Sequence, residues 1–172
     1  RHSINFIDHA PFMTLSTYAA SGALDCSPRG GLPGFVKVVN ENCIIIPDSK
    51  GNNRLDSLVN IIETKQVGCL FLIPGVDETL RINGRGRIST STAHLKQFSH
   101  HKNPPKACIE IRIKEVFLHC AKALMRSKLW SADAKLERSK FPTIATMLND
   151  QLCLSEPPES QATMVARYQQ DL

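Results

Sequence analysis

Three short segments carry basic side chains beside glycine or polar turn residues, a combination suited to binding an anion. The first is DCSPRGGLPGFV (25–36), in which Arg29 stands between Ser27 and a pair of glycines. Glycine lets the backbone approach a ligand closely, and the planar guanidinium group of arginine matches a phosphate or a carbonyl group. The alternative for this segment is a turn that joins two strands, with Arg29 in solvent.

The second segment, PDSKGNNRLDSL (47–58), predicts a strand end, a loop and then a helix. Backbone N–H groups at the start of a helix attract anions, and Lys50 and Arg54 add full positive charges. Because a cation at a helix N-terminus is unfavourable by itself, Arg54 favours an anionic ligand at this point. The alternative is a capped helix with a basic first turn, since no GxxxxGK[ST] loop occurs.

The third segment, ETLRINGRGRI (78–88), alternates between apolar and polar positions as a strand does. A strand face that carries several arginines cannot be buried unless each charge is paired. We therefore expect Arg85 and Arg87 to lie in solvent. Thr79 and Arg81 lie nearer the start of the strand, where a groove could form.

The fourth segment, HCAKALMRSKLW (119–130), is compatible with a helix or with a strand followed by a turn. Lys122 and Arg126 stand four residues apart, and Trp130 is the only tryptophan, suited to anchor a core or an interface. The histidine and cysteine that open the segment have no residue to orient them as a nucleophilic pair.

The sequence contains no paired-carboxylate, GxSxG or HExxH pattern. It therefore offers phosphate-binding features without an acid, a base or a nucleophile of its own. That combination indicates a protein that takes its chemistry from a phosphorylated cofactor.

The elements that would position these residues are mainly strands. Two hairpins are predicted from apolar and β-branched runs joined by short turns. An amphipathic helix follows, starting near Arg54, with Asn52 or Asn53 as its cap. Six or seven strands joined by short connections favour an antiparallel sheet in a small closed or split barrel. The predicted strands are 12–20, 23–27, 35–39, 43–46, 66–73, 79–88 and 107–117, with a continuation through 118–124; helices are predicted near 92–99, at 143–152 and at the C-terminus.

Composition limits the class of protein. The chain has 172 residues, 42% of them hydrophobic and 22% charged, which predicts one soluble globular domain. The net charge of +5 suits a small anionic ligand. Nucleic-acid binding is disfavoured because stacking aromatics are few and no recognition motif occurs.

Other features concern the compartment. No apolar run is long enough for a membrane span, and the first residues lack the apolar stretch of a signal peptide. Six scattered cysteines without a CxxC pair predict a reducing, cytoplasmic setting with no disulfide and no metal site. Cys43 and Cys69 are expected to be buried free thiols in strands.

The order of the four segments resembles that of the pyridoxamine 5′-phosphate oxidase-like FMN-binding split-barrel proteins, over about residues 12–130. The similarity is greatest to a bacterial branch without a settled substrate. The resemblance implies a mainly β fold, a six-stranded antiparallel split β-barrel of Greek-key type, followed by a helical C-terminal extension at about 131–172. It also implies a homodimer with FMN at the subunit interface.

The resemblance also implies cofactor contacts along the chain. Those nearest the flavin ring, its ribityl chain and its phosphate would be Ser27, Arg29, Pro47, Asp48, Asn53 and Arg54. Contacts from the next strand would be Thr79 and Arg81. The C-terminal contacts, donated by the other subunit, would be Lys122, Arg126 and Trp130.

The chain also departs from the family pattern. The Ser-Arg-Lys phosphate-binding run of the oxidase reads Asn52-Asn53-Arg54 here, and Gly31 replaces an acidic residue of the similar branch. The substrate contacts of the oxidase have no match, so oxidation of pyridoxamine phosphate itself is not expected.

The function expected from the resemblance is an FMN-dependent oxidoreductase. Hydride would pass to the flavin from NAD(P)H or from a small organic substrate. Relatives that use F420 or bind haem keep those cofactors open. A non-catalytic flavin or haem carrier, or a sensor, is the alternative function.

Overall fold

The computed structural model describes residues 1–51 and 54–170, which form two compact units, Arg1–Trp130 and Ser131–Leu172. The strands of the first unit are β1 (Phe12–Tyr18), β2 (Leu24–Gly30), β3 (Lys37–Asn40), β4 (Cys43–Pro47), β5 (Gln66–Leu72), β6 (Thr79–Ser89) and β7 (Cys108–His119). Its helices are α1 (His2–His9), α2 (Asp56–Thr64), α3 (Thr92–Leu95), continued by a 3-10 turn at Lys96–Phe98, and α4 (Lys122–Ser127).

The seven strands make one antiparallel sheet in the order β2-β1-β5-β6-β7-β4-β3. The mainly β, antiparallel class with flanking helices is confirmed. The expected six-stranded barrel is wrong, because the sheet has seven strands and its end strands β2 and β3 are not paired with each other in the described chain. A tight turn between Asn40 and Cys43 pairs β3 with β4 at one end of the sheet.

Alternating residues build the main core on one face of this sheet, here called the concave face, while a smaller cluster of Ile45, Phe98 and Cys108 is buried on the other. Met13 and Leu15 of β1 are fully buried there. The same core includes Ile44 of β4 and Ile111 of β7, from the other half of the sheet. Because strands far apart in the sheet share one core, the sheet curls around it. The opposite side is called the convex face.

A β-bulge interrupts the pairing of the two longest strands. Asn83 pairs with Glu115, whereas the next residue, Gly84, pairs with Ile113, so Lys114 is the extra residue. An extra residue shifts the alternation by one. As a result Arg112, before the bulge, and residues 115, 117 and 119, after it, all lie on the convex face. The predicted continuation of the strand through 118–124 is found only for residues 118 and 119, since β7 ends at His119 and a helix begins at Lys122.

Helix α2 begins at Asp56, two residues later than predicted. The residue before it is Leu55, and no side chain caps it. The proposed caps Asn52 and Asn53 lie outside the described residues. An acidic residue in the first turn stabilises the helix dipole, and the helix ends at Lys65 in the left-handed conformation, with φ of 61°.

The second unit contains α5 (Ile144–Leu152) and α6 (Gln161–Gln169). Each helix has a hydroxyl cap: Thr143 Oγ1 accepts from the N–H of Thr146, and Ser160 Oγ accepts from the N–H of Thr163. Such caps satisfy N–H groups that have no partner within the helix. Across both units, none of the described helices is long and apolar enough to cross a membrane.

Candidate functional site

The hydroxyl of Ser57 is the centre of a polar cluster between β2 and the first turn of α2. Ser57 Oγ donates to Asp25 Oδ2 at 2.6 Å. It lies 2.9 Å from Ser27 Oγ and accepts from Arg29 Nη2 at 3.2 Å. Alternation along β2 places residues 25, 27 and 29 on the concave face, where α2 covers them. We call these four residues the Ser57 cluster.

A second layer fixes the carboxylate of this cluster. Thr17 Oγ1 donates to Asp25 Oδ2 at 3.4 Å and accepts from Asn60 Nδ2 at 3.0 Å. Thr17 and Asn60 are both buried. Buried polar groups with satisfied hydrogen bonds hold each other in one geometry. The guanidinium group of Arg29, which donates to Ser57, is therefore held by a fixed network.

Arg29 also lies near the C-terminal end of β4. Burial raises the pKa of Asp48, and the positive charge of Arg29 partly opposes that increase. The two residues come from opposite ends of the strand order, so the curl of the sheet brings them together. Pro47, the last residue of β4, is buried and precedes Asp48 in the chain, but its register with Cys108 places it on the convex face. The structure therefore brings Ser27 and Arg29 near Asp48 and leaves Pro47 on the other side of the sheet.

Arg54 and Asn53 are less constrained by the structure. Arg54 Nε donates to Asp56 Oδ2 at 2.9 Å, and both side chains are largely exposed. Asp56, in the first turn of α2, thus offsets the unfavourable position of the Arg54 charge at the start of the helix. Asn53 lies outside the described residues, so its predicted phosphate contact stays a prediction.

Thr79 and Arg81 form a second group, on the convex face. Arg81 Cζ lies 5.1 Å from the ring centre of Phe117, a cation–π contact, and its Nη1 is 3.3 Å from His119 Nε2. Thr79 pairs with His119 across the two strands. The group presents a cation, an aromatic ring and an imidazole on one surface.

The C-terminal segment of the first unit is helical. Lys122 and Arg126 lie on α4, which is exposed throughout most of its length. Trp130 Nε1 donates to the carbonyl oxygen of Val76, in the loop before β6, at 2.9 Å. This bond ties the end of the segment to the first unit, whereas the two cations remain on its surface.

The predicted contacts therefore divide between the two faces of the sheet. Arg81 pairs with Leu70, which pairs with Thr14, which pairs with Pro28, so it lies in the same row as the Ser57 cluster. Three strand spacings separate the ends of that row by about 14 Å. Ser27, beside Pro28, faces the core side, whereas Arg81 faces the other. Within a single chain, the two groups therefore lie on opposite faces of the sheet.

Sequence reasoning missed four members of this network, Thr17, Asp25, Ser57 and Asn60. Asp25 could have been predicted, because alternation along the strand places it on the same face as residues 27 and 29. Ser57 and Asn60 are three apart, so they share a helix face. Their proximity to β2 depends on how α2 packs on the sheet, which the local pattern does not give.

Comparison with known proteins decides the family. The family model described as pyridoxamine 5′-phosphate oxidase matches residues 4–120, well over half of the chain. The chain belongs to the pyridoxamine 5′-phosphate oxidase-like family. No curated protein matches it.

Three solved structures share the fold of this chain. HupZ of Group A Streptococcus has a TM-score of 0.57 and 16% identity, with 69% of this chain and 92% of that chain covered. A candidate pyridoxamine 5′-phosphate oxidase from Lactobacillus delbrueckii has a TM-score of 0.51 and 18% identity, covering 68% of this chain and 91% of that chain. A conserved hypothetical protein from Mycobacterium tuberculosis has a TM-score of 0.52 and 12% identity, covering 72% and 86%. At these identities the similarity shows the fold alone.

Within this family member, we expect Ser57→Ala to lower the free energy of unfolding by about 1–2 kcal/mol. The change removes a hydroxyl that joins three side chains and leaves the half-buried Asp25 with a weaker set of donors. Chemical denaturation measures the effect. Ser16→Ala is the control, since Ser16 is exposed and contacts only the Cys26 sulfur, at 3.7 Å. Equal effects for the two variants would contradict the role of Ser57.

Asp48 gives a pH-dependent prediction. A carboxyl group with a raised pKa in the folded state contributes most below its unfolded pKa, and that contribution is lost as pH rises through the folded pKa. Asp48→Asn removes this loss. We therefore expect the stability of the variant, relative to the original protein, to increase from about pH 4 to about pH 7. Urea midpoints across this range measure it; a constant difference would show that Asp48 is not desolvated.

Proposed function

We propose that the protein is a homodimeric FMN-binding flavoprotein, and that it acts as an oxidoreductase on a small molecule or on NAD(P)H. The observation that supports this proposal best is the Ser57 cluster. It holds Arg29 on the concave face, beside Asp48 and the start of α2. The cytoplasm is the proposed compartment, on the basis of the scattered cysteines.

The residues present fit a phosphorylated, hydrogen-bonding cofactor. Arg29 Nη1 donates to the carbonyl oxygen of Pro28 at 2.9 Å, and Nη2 donates to Ser57. A guanidinium group has five N–H donors, so donors remain for a ligand. Ser27 and the backbone of β2 can hydrogen-bond the polar edge of a flavin ring. Arg54 and the approach to α2 supply positive charge for the phosphate.

Bound FMN would supply a ring that accepts and returns a hydride. The tasks left to this chain are to bind the cofactor, orient the ring and exclude water from one of its faces. A guanidinium group held by a fixed network does this without reorganising when charge develops on the ring. F420 and haem are the alternative cofactors, and the absorption spectrum distinguishes all three.

The proposed homodimer follows from the division of the predicted contacts between two faces. A site built from the Ser57 cluster of one subunit and the Arg81 group of the other would account for the predicted contacts on both faces. The convex face also exposes apolar side chains that a partner could bury. They include Leu24, 88% exposed, Phe12, 40% exposed, and Phe117, 39% exposed. Exposed apolar surface of this kind is typical of an interface.

The direct test is to add FMN to the purified protein and record its visible spectrum and its melting temperature. We expect a bound-flavin spectrum and a rise in melting temperature with FMN concentration, as binding to the folded state requires. A protein that shows neither change does not bind FMN, and the proposal would be wrong.

A mixing experiment tests the shared site. Arg29→Ala and Arg81→Ala dimers should each bind FMN weakly. After subunit exchange, half of the dimers are mixed, and each mixed dimer has one intact site, so about a quarter of all sites should recover. Arg29→Ala mixed with itself is the control. No recovery in confirmed mixed dimers would show that the two arginines do not serve one site.

A non-catalytic carrier or sensor is the second candidate. The observation that favours it is that Asp25, Ser27 and Ser57 bond to one another, so no free acid or base stands in the cluster. Turnover separates the candidates. An oxidoreductase should oxidise NADH or NADPH with an added acceptor, whereas a carrier should bind the cofactor without turnover.

A further inference from the structure

A cavity of about 520 Å³ opens on the convex face, where the β3–β4 turn meets β7 and β6. Its polar lining includes Asn42 and Cys43 of the turn, Arg87 of β6, and Glu110 and Arg112 of β7. Its volume falls within the range of small-molecule sites. None of the predicted cofactor contacts lines it. Arg87 is six residues along β6 from Arg81, or about 20 Å at the rise of a strand.

Glu110 is already compensated within the cavity. Arg87 Nη2 donates to Glu110 Oε2 at 2.8 Å, and His94 Nδ1 lies 3.5 Å from the same oxygen. His94 Nδ1 is also 3.1 Å from Ser89 Oγ. The Glu110 carboxylate is mostly buried, and Arg87 and His94 already occupy its Oε2 atom.

Arg112 has no such compensation. Within the described chain, its guanidinium group forms no hydrogen bond and no ion pair. It lies directly opposite Arg85 on the neighbouring strand, and the two side chains share the convex face. Like charges in directly opposed positions destabilise a sheet. An anion bound at Arg112 would relieve that repulsion.

The turn supplies further donors beside Arg112. Asn40 Oδ1 accepts from the N–H of Asn42 at 2.9 Å, and Ile113 N–H donates to the carbonyl oxygen of Asn42 at 2.9 Å. These two bonds fix the backbone of the turn and leave the Asn42 side-chain amide available. Cys43 pairs with Arg112 across β4 and β7, which places its thiol next to the guanidinium group.

We propose that this cavity is a second ligand site, which binds a small molecule through a phosphate or carboxylate group held by Arg112 and Asn42. Arginine forms two parallel hydrogen bonds to either group. Val39 also lines the cavity and gives it an apolar contact for the remainder of the ligand. The site is separate from the proposed flavin site and does not depend on it.

Calorimetric titration tests the proposal with two probes, inorganic phosphate and succinate, with and without saturating FMN. We expect at least one probe to bind, and Arg112→Gln to weaken its binding about tenfold. Lys114→Gln is the matched control, because it removes one exposed charge two residues away on the same strand and should change affinity less than about twofold. Preference for one probe identifies the anionic group. Equal binding by Arg112→Gln, or no binding of either probe, would overturn the proposal.

Alkylation of Cys43 locates the ligand independently. Cys43 is half-buried, and burial raises the pKa of its thiol, so it should react slowly with iodoacetamide. The bound probe should lower the alkylation rate of Cys43 further, in proportion to the fraction of protein that carries the probe. The alkylation rate of the exposed Cys26, measured in the same peptide map, should not change. Protection that persists in Arg29→Ala excludes the flavin site as its source. An unprotected Cys43 at saturation would show that the probe binds elsewhere.

Discussion

Replacing Arg29 with alanine is expected to weaken FMN binding by about ten- to a hundredfold. Charge-assisted hydrogen bonds contribute about 1.5–3 kcal/mol each, which corresponds to that range. Arg29 is held by Ser57 and by the carbonyl oxygen of Pro28, so its position is fixed before the cofactor arrives. Its loss removes a donor that is already oriented toward the site.

The measurement is FMN titration followed by quenching of flavin fluorescence. Arg85→Ala removes the same charge from the convex face, where the side chain is exposed, and should leave affinity within about twofold. Arg29→Lys should bind with intermediate affinity, because it keeps the charge but loses the planar fork. If Arg29→Ala and Arg85→Ala bound FMN equally well, Arg29 would have no specific role in the site.

The sequence predicted the strands well because each has a strong local pattern. The two hairpins and the polar positions of β6 follow from alternation and turn residues, and both are found in the structure. Arg85 and Arg87 are exposed as predicted, although Arg87 also pairs with Glu110. These features depend on residues within about ten positions of each other.

The candidate site was less predictable because it depends on contacts between distant segments. Asp25 and Ser57 are 32 residues apart, and nothing local shows that they bond. The separation of Arg29 and Arg81 onto opposite faces follows only from the register of four paired strands. Cys43, expected to be buried, instead lies half-exposed beside Arg112, because it occupies a convex position at the end of its strand.

A substitution at the β6–β7 bulge is expected to have a large effect on stability. Gly84→Ala is expected to lower the free energy of unfolding by about 1–3 kcal/mol, as overpacking in a core does. A Cβ atom on Gly84 would overlap the carbonyl oxygen of Arg112 and approach Ile111 Cγ2 to 2.9 Å. The paired backbone at the bulge and the fully buried Ile111 leave little room to relieve this overlap. For a chain of this length, the melting temperature should fall by roughly 3–10 °C.

Gly68→Ala is the matched control, because Gly68 lies in the adjacent strand with its nearest atoms at 3.5 Å, in ordinary contact. Alanine there should be neutral or slightly stabilising, since glycine has the higher entropic cost in a strand. Gly84→Ala should also weaken anion binding at Arg112, because the overlap is with that residue's own carbonyl group. If both variants melted at the same temperature, the bulge would not require glycine. Weaker anion binding in Gly84→Ala alone would show that the bulge also positions Arg112 on the convex face.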